Sequence, residues 1–217
     1  MPSPLDGIRY IHAAIMAEAD QLDALALSAK TDKEAHAIRD RVSFYEHLLK
    51  IHTDAEERHV FPLLDGKLPT SAQTYLFDHK EEKTIIDKVG KLSQPSAGKG
   101  PQQPEFAHAM RELRNHLSLH VRKENELIVP LLTELLSIAD QGKLAGALMA
   151  EVPKEMYPIL LPWLMARLTV EDRIGYLSMV KAGAPPPAFA SMVGLVRQSL
   201  SPSEVAVLAK AIPELAN

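Results

Sequence analysis

The chain has 217 residues, long enough for one sizeable core or for a core with an appendage, and 24 Lys plus Arg against 28 Asp plus Glu give a formal net charge of −4. Charge of both signs runs along the whole sequence, so no basic field favours nucleic acid or an anionic membrane, and neither is expected as a partner. Cys is absent, which excludes disulfides, iron–sulfur ligation and thiol catalysis and leaves nitrogen and oxygen as the donors for any metal.

The opening Met1-Pro-Ser-Pro-Leu-Asp6 lacks a basic stretch followed by an apolar run and does not read as a secretory signal. The most apolar stretch, Ile159 to Leu168, is interrupted by Pro162 and is well short of the roughly 20 residues that span a bilayer. A soluble, cytoplasmic protein is expected. Apolar residues recur at three- and four-residue spacing, the signal of amphipathic helices, and the predicted class is all-α. A first helix is predicted from about Pro4 to Ser28, with Ile8, Ile11, Ile15 and Leu22 on the side of His12. The second starts at Thr31-Asp-Lys-Glu34, a capping-box pattern. Its inner stripe is Ile38, Val42, Tyr45, Leu48, Leu49, His52, Glu56, Val60 and Leu63.

The third helix is predicted from about Ser71 to Leu92, with Tyr75, Leu76, His79, Ile86 and Val89 inward, and is followed by a mobile loop from Ser93 to Pro104. The fourth, about Glu105 to Ala139, aligns Leu113, His116, Leu117, His120, Glu124 and Leu127 before Asp140-Gln-Gly142 stops it. Short connections favour antiparallel neighbours, so residues 1–140 are expected to form an up-down-up-down four-helix bundle. From Lys143 onward Pro153, Pro158, Pro162, Pro185 to Pro187, Pro202 and Pro213 cut the chain into short pieces. Residues 141–217 are read as a C-terminal extension of short helices packed on the bundle through Trp163 and its Leu neighbours. Ser201-Pro-Ser-Glu204 is a further capping-box start, with Pro at the first helical position. No residue of the extension carries recognisable chemistry, and its protein partner is unknown.

One pattern occurs twice. His52 and Glu56 stand four apart with Pro62 ten after the His, and 68 residues later His120, Glu124 and Pro130 repeat the spacing. Both prolines fall inside or at the ends of apolar helical runs, where each would kink or shorten its helix. An isolated His precedes each pair, His12 by 40 residues and His79 by 41. Helical residues four apart project from one face, so each pair can aim an imidazole and a carboxylate at one point. A donor set without sulfur suits iron, manganese or zinc, and carboxylates able to bridge favour a dinuclear iron-type centre. The expected ligands are His12, His52, Glu56, His79, His120 and Glu124, with Glu56 and Glu124 as bridges between two iron ions in an oxo- or hydroxo-bridged unit. A single buried His is more often a satisfied core residue than a ligand. Six inward donors on four helices, however, would be a costly polar set without a metal.

His12, His52-x-x-x-Glu56, His79 and His120-x-x-x-Glu124, with Phe61-Pro-Leu-Leu64 and Val129-Pro-Leu-Leu132 following the pairs, resemble the hemerythrin-like (HHE cation-binding) family over residues 8 to 132. Within it the chain looks most like the actinobacterial hemerythrin-like proteins and the hemerythrin modules of plant and animal iron-sensing ubiquitin ligases. Its extension, with Pro153 and Pro162-Trp-Leu164, is similar to the segment that comes after those modules in the plant ligases. No RING, zinc-ribbon or F-box segment is present, so any ligase role would need another chain. The pattern also departs from its relatives. Oxygen-carrying hemerythrins place a second His a turn after the third-helix His, where this chain has Lys83, and the animal iron sensor places a carboxylate where it has Thr53.

Four further residues face the same region: His59, His116, Tyr45 and Tyr75. For each, packing or a hydrogen bond to a ligand is the plainer role, and an iron-bound phenolate the sharper one for either Tyr. The pair Glu56 and His59 alone would match the Glu-x-x-His of ferritin-like proteins, but Leu127 breaks its second copy. His36, His47 and His108 lie off the stripes. Fewer protein donors leave open positions, which favours reactivity. The resemblance implies a diiron protein that disproportionates hydrogen peroxide or reacts with nitric oxide or oxygen, with no catalytic residue beyond the metal centre. An iron- or oxygen-sensing or oxygen-binding protein without turnover is the alternative, and a structural zinc bundle a third reading.

Overall fold

The computed structural model describes residues 3–28, 32–94 and 103–216, and among them helices succeed one another with no strand between. They are α1 (Asp6–Ser28), α2 (Asp32–Ala55), a π-helical turn (Glu56–Val60), α3 (Phe61–Lys67), α4 (Gln73–Ser93), α5 (Gln103–Lys123), a second π-helical turn (Glu124–Ile128) and α6 (Val129–Leu135). Then come α7 (Ile138–Ala150), α8 (Tyr157–Arg167), α9 (Val170–Gly183), α10 (Pro186–Ser199) and α11 (Pro202–Ala209), with 3-10 turns at Lys154–Met156 and Pro213–Ala216. The class is all-α, a helical bundle plus extra helices. Thr31 of the expected capping box and residues 95–102 of the expected loop lie outside the described residues.

The chain forms two compact units, one of Ile15–Ile128 and one of the residues up to Ala14 with those from Val129 onward. In the first, α4 packs on α2 and α5, and the later turns of α1 close the ring. Tyr45 on α2 donates its hydroxyl to the Ile15 carbonyl at 2.8 Å. Arg41 grips the buried Glu18 with two hydrogen bonds of 3.0 and 2.9 Å, a carboxylate that burial would penalise without such a partner. On the α5 side Arg111 and Arg114 reach Asp23 and Asp20, each at 2.7 Å. Ile15, Leu22, Leu49, Val89, Leu113 and Leu117 fill the interior between them.

Pro62 and Pro130 each stand in the first turn of a new helical segment, just after a π-helical turn that begins at a glutamate of the repeat. In the first copy the Phe61 N–H bonds back five residues to the Glu56 carbonyl, and Pro62 opens α3. Proline has no N–H to donate and its ring presses on the carbonyl four residues back, so a wider turn just before it relieves the conflict. The extra residue also rotates the helical register beyond it. Val60 and Ile128, four after each Glu, are buried, whereas Leu127 is 59% exposed and does not continue the inner stripe. The fourth predicted helix likewise ends earlier, at Leu135, and Asp140-Gln-Gly142 lies inside α7. The expected stop is a start: Ser137 caps α7 by accepting the Asp140 N–H, and Asp140 accepts the Ser137 hydroxyl in return.

In the second unit Tyr10 of α1 meets Tyr176 of α9 edge to face, with ring centres 6.0 Å apart. Its hydroxyl lies so close over Gly175 that a Cβ there would push the Tyr10 side chain aside. Buried Gln141 accepts from Ser3 at 2.7 Å and donates to the carbonyls of Thr133 and Leu136. The capping box at Ser201 and Glu204 opens α11, as its pattern predicts. Glu204 also binds Arg173 of α9 at 2.9 Å. Hydrogen bonds from Arg173 and then Ser201 hold its carboxyl down at about 2. A carboxyl depressed on folding contributes stability above its unfolded value, near 4.5, and loses it as pH falls toward the folded one. Acid titration followed by the fluorescence of Trp163 should therefore show this unit loosening between about pH 4.5 and 2, and Glu204→Gln should weaken that step. An unchanged acid profile in the variant would reject the link.

Candidate metal centre

The spacing of the repeat becomes geometry on α2 and α5. His52 Nε2 lies 3.4 Å from Glu56 Oε2, and His120 Nε2 lies 3.4 Å from Glu124 Oε2. From α4, His79 places its Nε2 3.1 Å from that of His120 and 3.5 Å from Glu56 Oε2. One donor atom each from Glu56, His79, His120 and Glu124 lies within 4.8 Å of the others, and all four residues are buried. Half-buried His52 stands in the same relation to Glu56 and Glu124, so the two glutamates are common to both donor groups. His12, on the first turns of α1 in the other unit, is fully buried.

Carboxylates orient the two α4 and α5 imidazoles. His79 Nδ1 is 3.1 Å from Glu57 and His120 Nδ1 is 3.3 Å from Asp78, which also binds Lys123. With each Nδ1–H donated outward, the Nε2 lone pair faces the cluster, the arrangement a metal-ligating His requires. Burial alone would raise Asp78, but the hydrogen bonds of Lys123 and His120 outweigh it and hold the carboxyl below its ordinary range. Phe61 packs on His79 and on Tyr75, with ring centres 5.0 and 5.8 Å away, and screens the cluster from that side.

The four additional candidates take different places. The Tyr45 hydroxyl is committed to Ile15. Tyr75 is buried with its ring edge toward His120, and burial followed by the charge of Glu124 raises its pKa. His116 bonds the Asp78 carbonyl at 3.0 Å and stacks on His120. His59, half-buried, belongs to neither donor group, because the π turn carries it past the inward direction. His47 and His108 are exposed.

Glu82 is the residue that the sequence pattern did not single out. It lies on α4 one turn after His79, is 3% exposed, and burial pushes it up to about 8, against the pull of His79 and with the push of Glu56. The signal was present as His79-Lys-Glu-Glu82, a three-residue spacing beside the four-residue one at Lys83. Glu124 is raised well above the carboxylate range by burial, then by Glu56 and Glu82, while burial and then His79 depress His120 to about 3. Ionised together, the three buried carboxylates would repel one another, and each buried anion would carry a desolvation penalty of several kcal/mol. A divalent cation at the convergence of the Nε2 and carboxylate atoms removes both costs. The donor set, all nitrogen and oxygen, fits iron, manganese or zinc.

Residues 3–132 match the model of a protein family described as the hemerythrin HHE cation binding domain. Among curated proteins the chain is similar to the zinc finger protein BRUTUS of Arabidopsis thaliana, 27% identical over 173 residues, 78% of this chain and 14% of that protein. It is also similar to a BRUTUS-like zinc finger protein of the same plant, 25% identical over 199 residues, 81% of this chain and 16% of the other. The chain thus spans about a sixth or less of the length of these relatives. No solved structure matches it. Among the described residues no helix is long and apolar enough to cross a membrane.

Proposed function

Because this chain belongs to the hemerythrin HHE cation-binding family, we propose that it is a non-heme diiron protein that reacts with small oxidants, first hydrogen peroxide by disproportionation, with nitric oxide or oxygen as the other candidates. The observation that carries the reading is the buried convergence of Glu56, His79, His120 and Glu124. There Glu56, His79, His120 and Glu124, with His52 beside the two glutamates, would hold the iron, and His12 is the further ligand that the repeat predicts. When bound, an iron pair supplies Lewis acidity and the exchange of one or two electrons.

The chain supplies the rest. Glu57 and Asp78 fix the tautomer and aim of two imidazoles, and Phe61 and Tyr75 keep bulk water off one side of the cluster. Thr53 and Lys83 provide no further donor: the Thr53 hydroxyl donates to the Lys50 carbonyl, and Lys83 is exposed. Coordination positions therefore stay open to a small ligand. A second reading, sensing of iron or oxygen without turnover, draws on the likeness to the plant relatives, whose matched spans of 173 and 199 residues exceed the family-matched segment and reach into the helices after it. Either role suits a cytoplasmic protein. Anaerobic iron reconstitution followed by metal analysis should give close to two iron ions per chain, and oxidation should bring near-ultraviolet charge-transfer bands of an oxo- or hydroxo-bridged diferric unit. One tightly held metal per chain would contradict the reading.

A further inference from the structure

A cleft of about 350 Å3 lies between α2 and α4, and Glu46, Asp54, Glu57, Glu82 and Asp87 line it together with His79. Its acids run from the surface inward. Asp87 and Glu57 are exposed, Glu46 and Asp54 half-buried, and Glu82 and His79 buried at the inner end. Three lysines also reach the cleft, but all three are exposed, and Lys50 is tied to Asp54 at 2.7 Å. The buried part of the lining therefore contains no lysine or arginine side chain.

Glu82 is the independent sign that something binds here. Apart from the charges of its neighbours, its carboxylate has no hydrogen-bond or ion-pair partner among the described residues, and it is only 3% exposed while lining the cleft. A buried carboxylate in that position is normally paired or bound to a metal. The neighbouring charges that act on it most, His79 and Glu56, are residues assigned above to the diiron centre.

We propose that this cleft is the entry path for ferrous iron and that Glu82 is a transit ligand, which takes the ion from the acidic mouth and passes it to Glu56 and His79. The inference rests on the diiron reading. The chemistry fits a hard divalent cation: oxygen donors outside, mixed oxygen and nitrogen donors inside, and an attractive potential that increases the rate of encounter. No bond to carbon and no redox change is involved; the ion exchanges water and carboxylate ligands while remaining ferrous.

The test is the kinetics of anaerobic ferrous iron uptake by the metal-free full chain, with the final content measured separately. Glu82→Gln keeps the shape of the side chain and should slow uptake about tenfold, the low end of steering effects, while the final content stays near two ions. The exposed or half-buried mouth is neutralised independently of the core by Glu46→Gln with Asp87→Asn, which should slow uptake at low salt and flatten its salt dependence. Uptake by Glu82→Gln at the rate of the unaltered chain would overturn the proposal. So would a final content below two in that variant, which would make Glu82 a ligand of the centre itself. If the unaltered chain never holds two ions, it is the diiron reading that fails.

Discussion

Glu56→Ala and Glu124→Ala should each lose both metal ions, whereas His12→Ala should retain part of its iron. The two glutamates recur in both donor groups, and Glu56 Oε2 stands 3.4 Å from His52 and 3.5 Å from His79. Removing a bridge therefore takes a donor from both positions at once, and removing a terminal imidazole takes it from one. The metal-free protein gives the control. Burial, then Glu56 and Glu82, push the Glu124 carboxyl up, so truncating Glu124 relieves repulsion in the metal-free fold while destroying the metal site. The variant should accordingly melt no lower than the metal-free parent but fail to gain on adding iron. The parent should gain about 4 kcal/mol at a thousandfold excess over its Kd, and chelation should abolish the gain. Equal metal loss in all three variants, measured by metal analysis, would reject the distinction between bridge and terminal ligand.

The repeat made most of the candidate cluster legible, because a metal site on helices requires donors at fixed offsets and a repeated unit shows those offsets twice. His52, Glu56, His120 and Glu124 could be found from spacing alone, and His79 from its place on an apolar stripe. What the spacing could not show was the π turn. An α-helical register sends Leu127 inward and keeps His59 on the face of Glu56, while one added residue per turn turns both away and brings in Ile128, with Val60 buried as its stripe predicts. Pro62 and Pro130 signalled a disturbed backbone but not its form. Glu82 escaped because the place of a second His is Lys83, one residue further on. The orienting acids Glu57 and Asp78 sit directly beside Glu56 and His79 in sequence and point off the stripe, where periodicity reads them as solvated charges. The pairing of Tyr10 with Gly175 and Tyr176 joins residues far apart in the chain, and nothing local announces it.

The iron-loaded protein should consume hydrogen peroxide and release one molecule of oxygen for every two of peroxide, and its reduced form should not cycle reversibly with oxygen. Vacant coordination positions decide between these outcomes. Oxygen carriage, on the resemblance to hemerythrins, uses a second His on the third helix, and here that place holds exposed Lys83. The other side chains that could close the coordination shell are otherwise engaged: Thr53 with the Lys50 carbonyl, Tyr45 with Ile15, and His116 with the Asp78 carbonyl. Glu82, read above as a transit ligand, and Tyr75 are the exceptions, and the Tyr75 ring meets Phe61, His120 and the Lys123 ammonium. If its oxygen binds iron, a visible phenolate band will be present and will vanish in Tyr75→Phe, whereas Tyr45→Phe will leave the spectrum unchanged. An iron pair held by these residues would supply the exchange of two electrons between successive peroxides, so that two molecules of peroxide would give one of oxygen and two of water. Chelation should remove the activity, and Glu56→Ala, having lost its metal, should show none. A reduced protein that binds and releases oxygen through many cycles while leaving peroxide untouched would overturn the enzymatic reading. The centre would then be read as a carrier or sensor of oxygen.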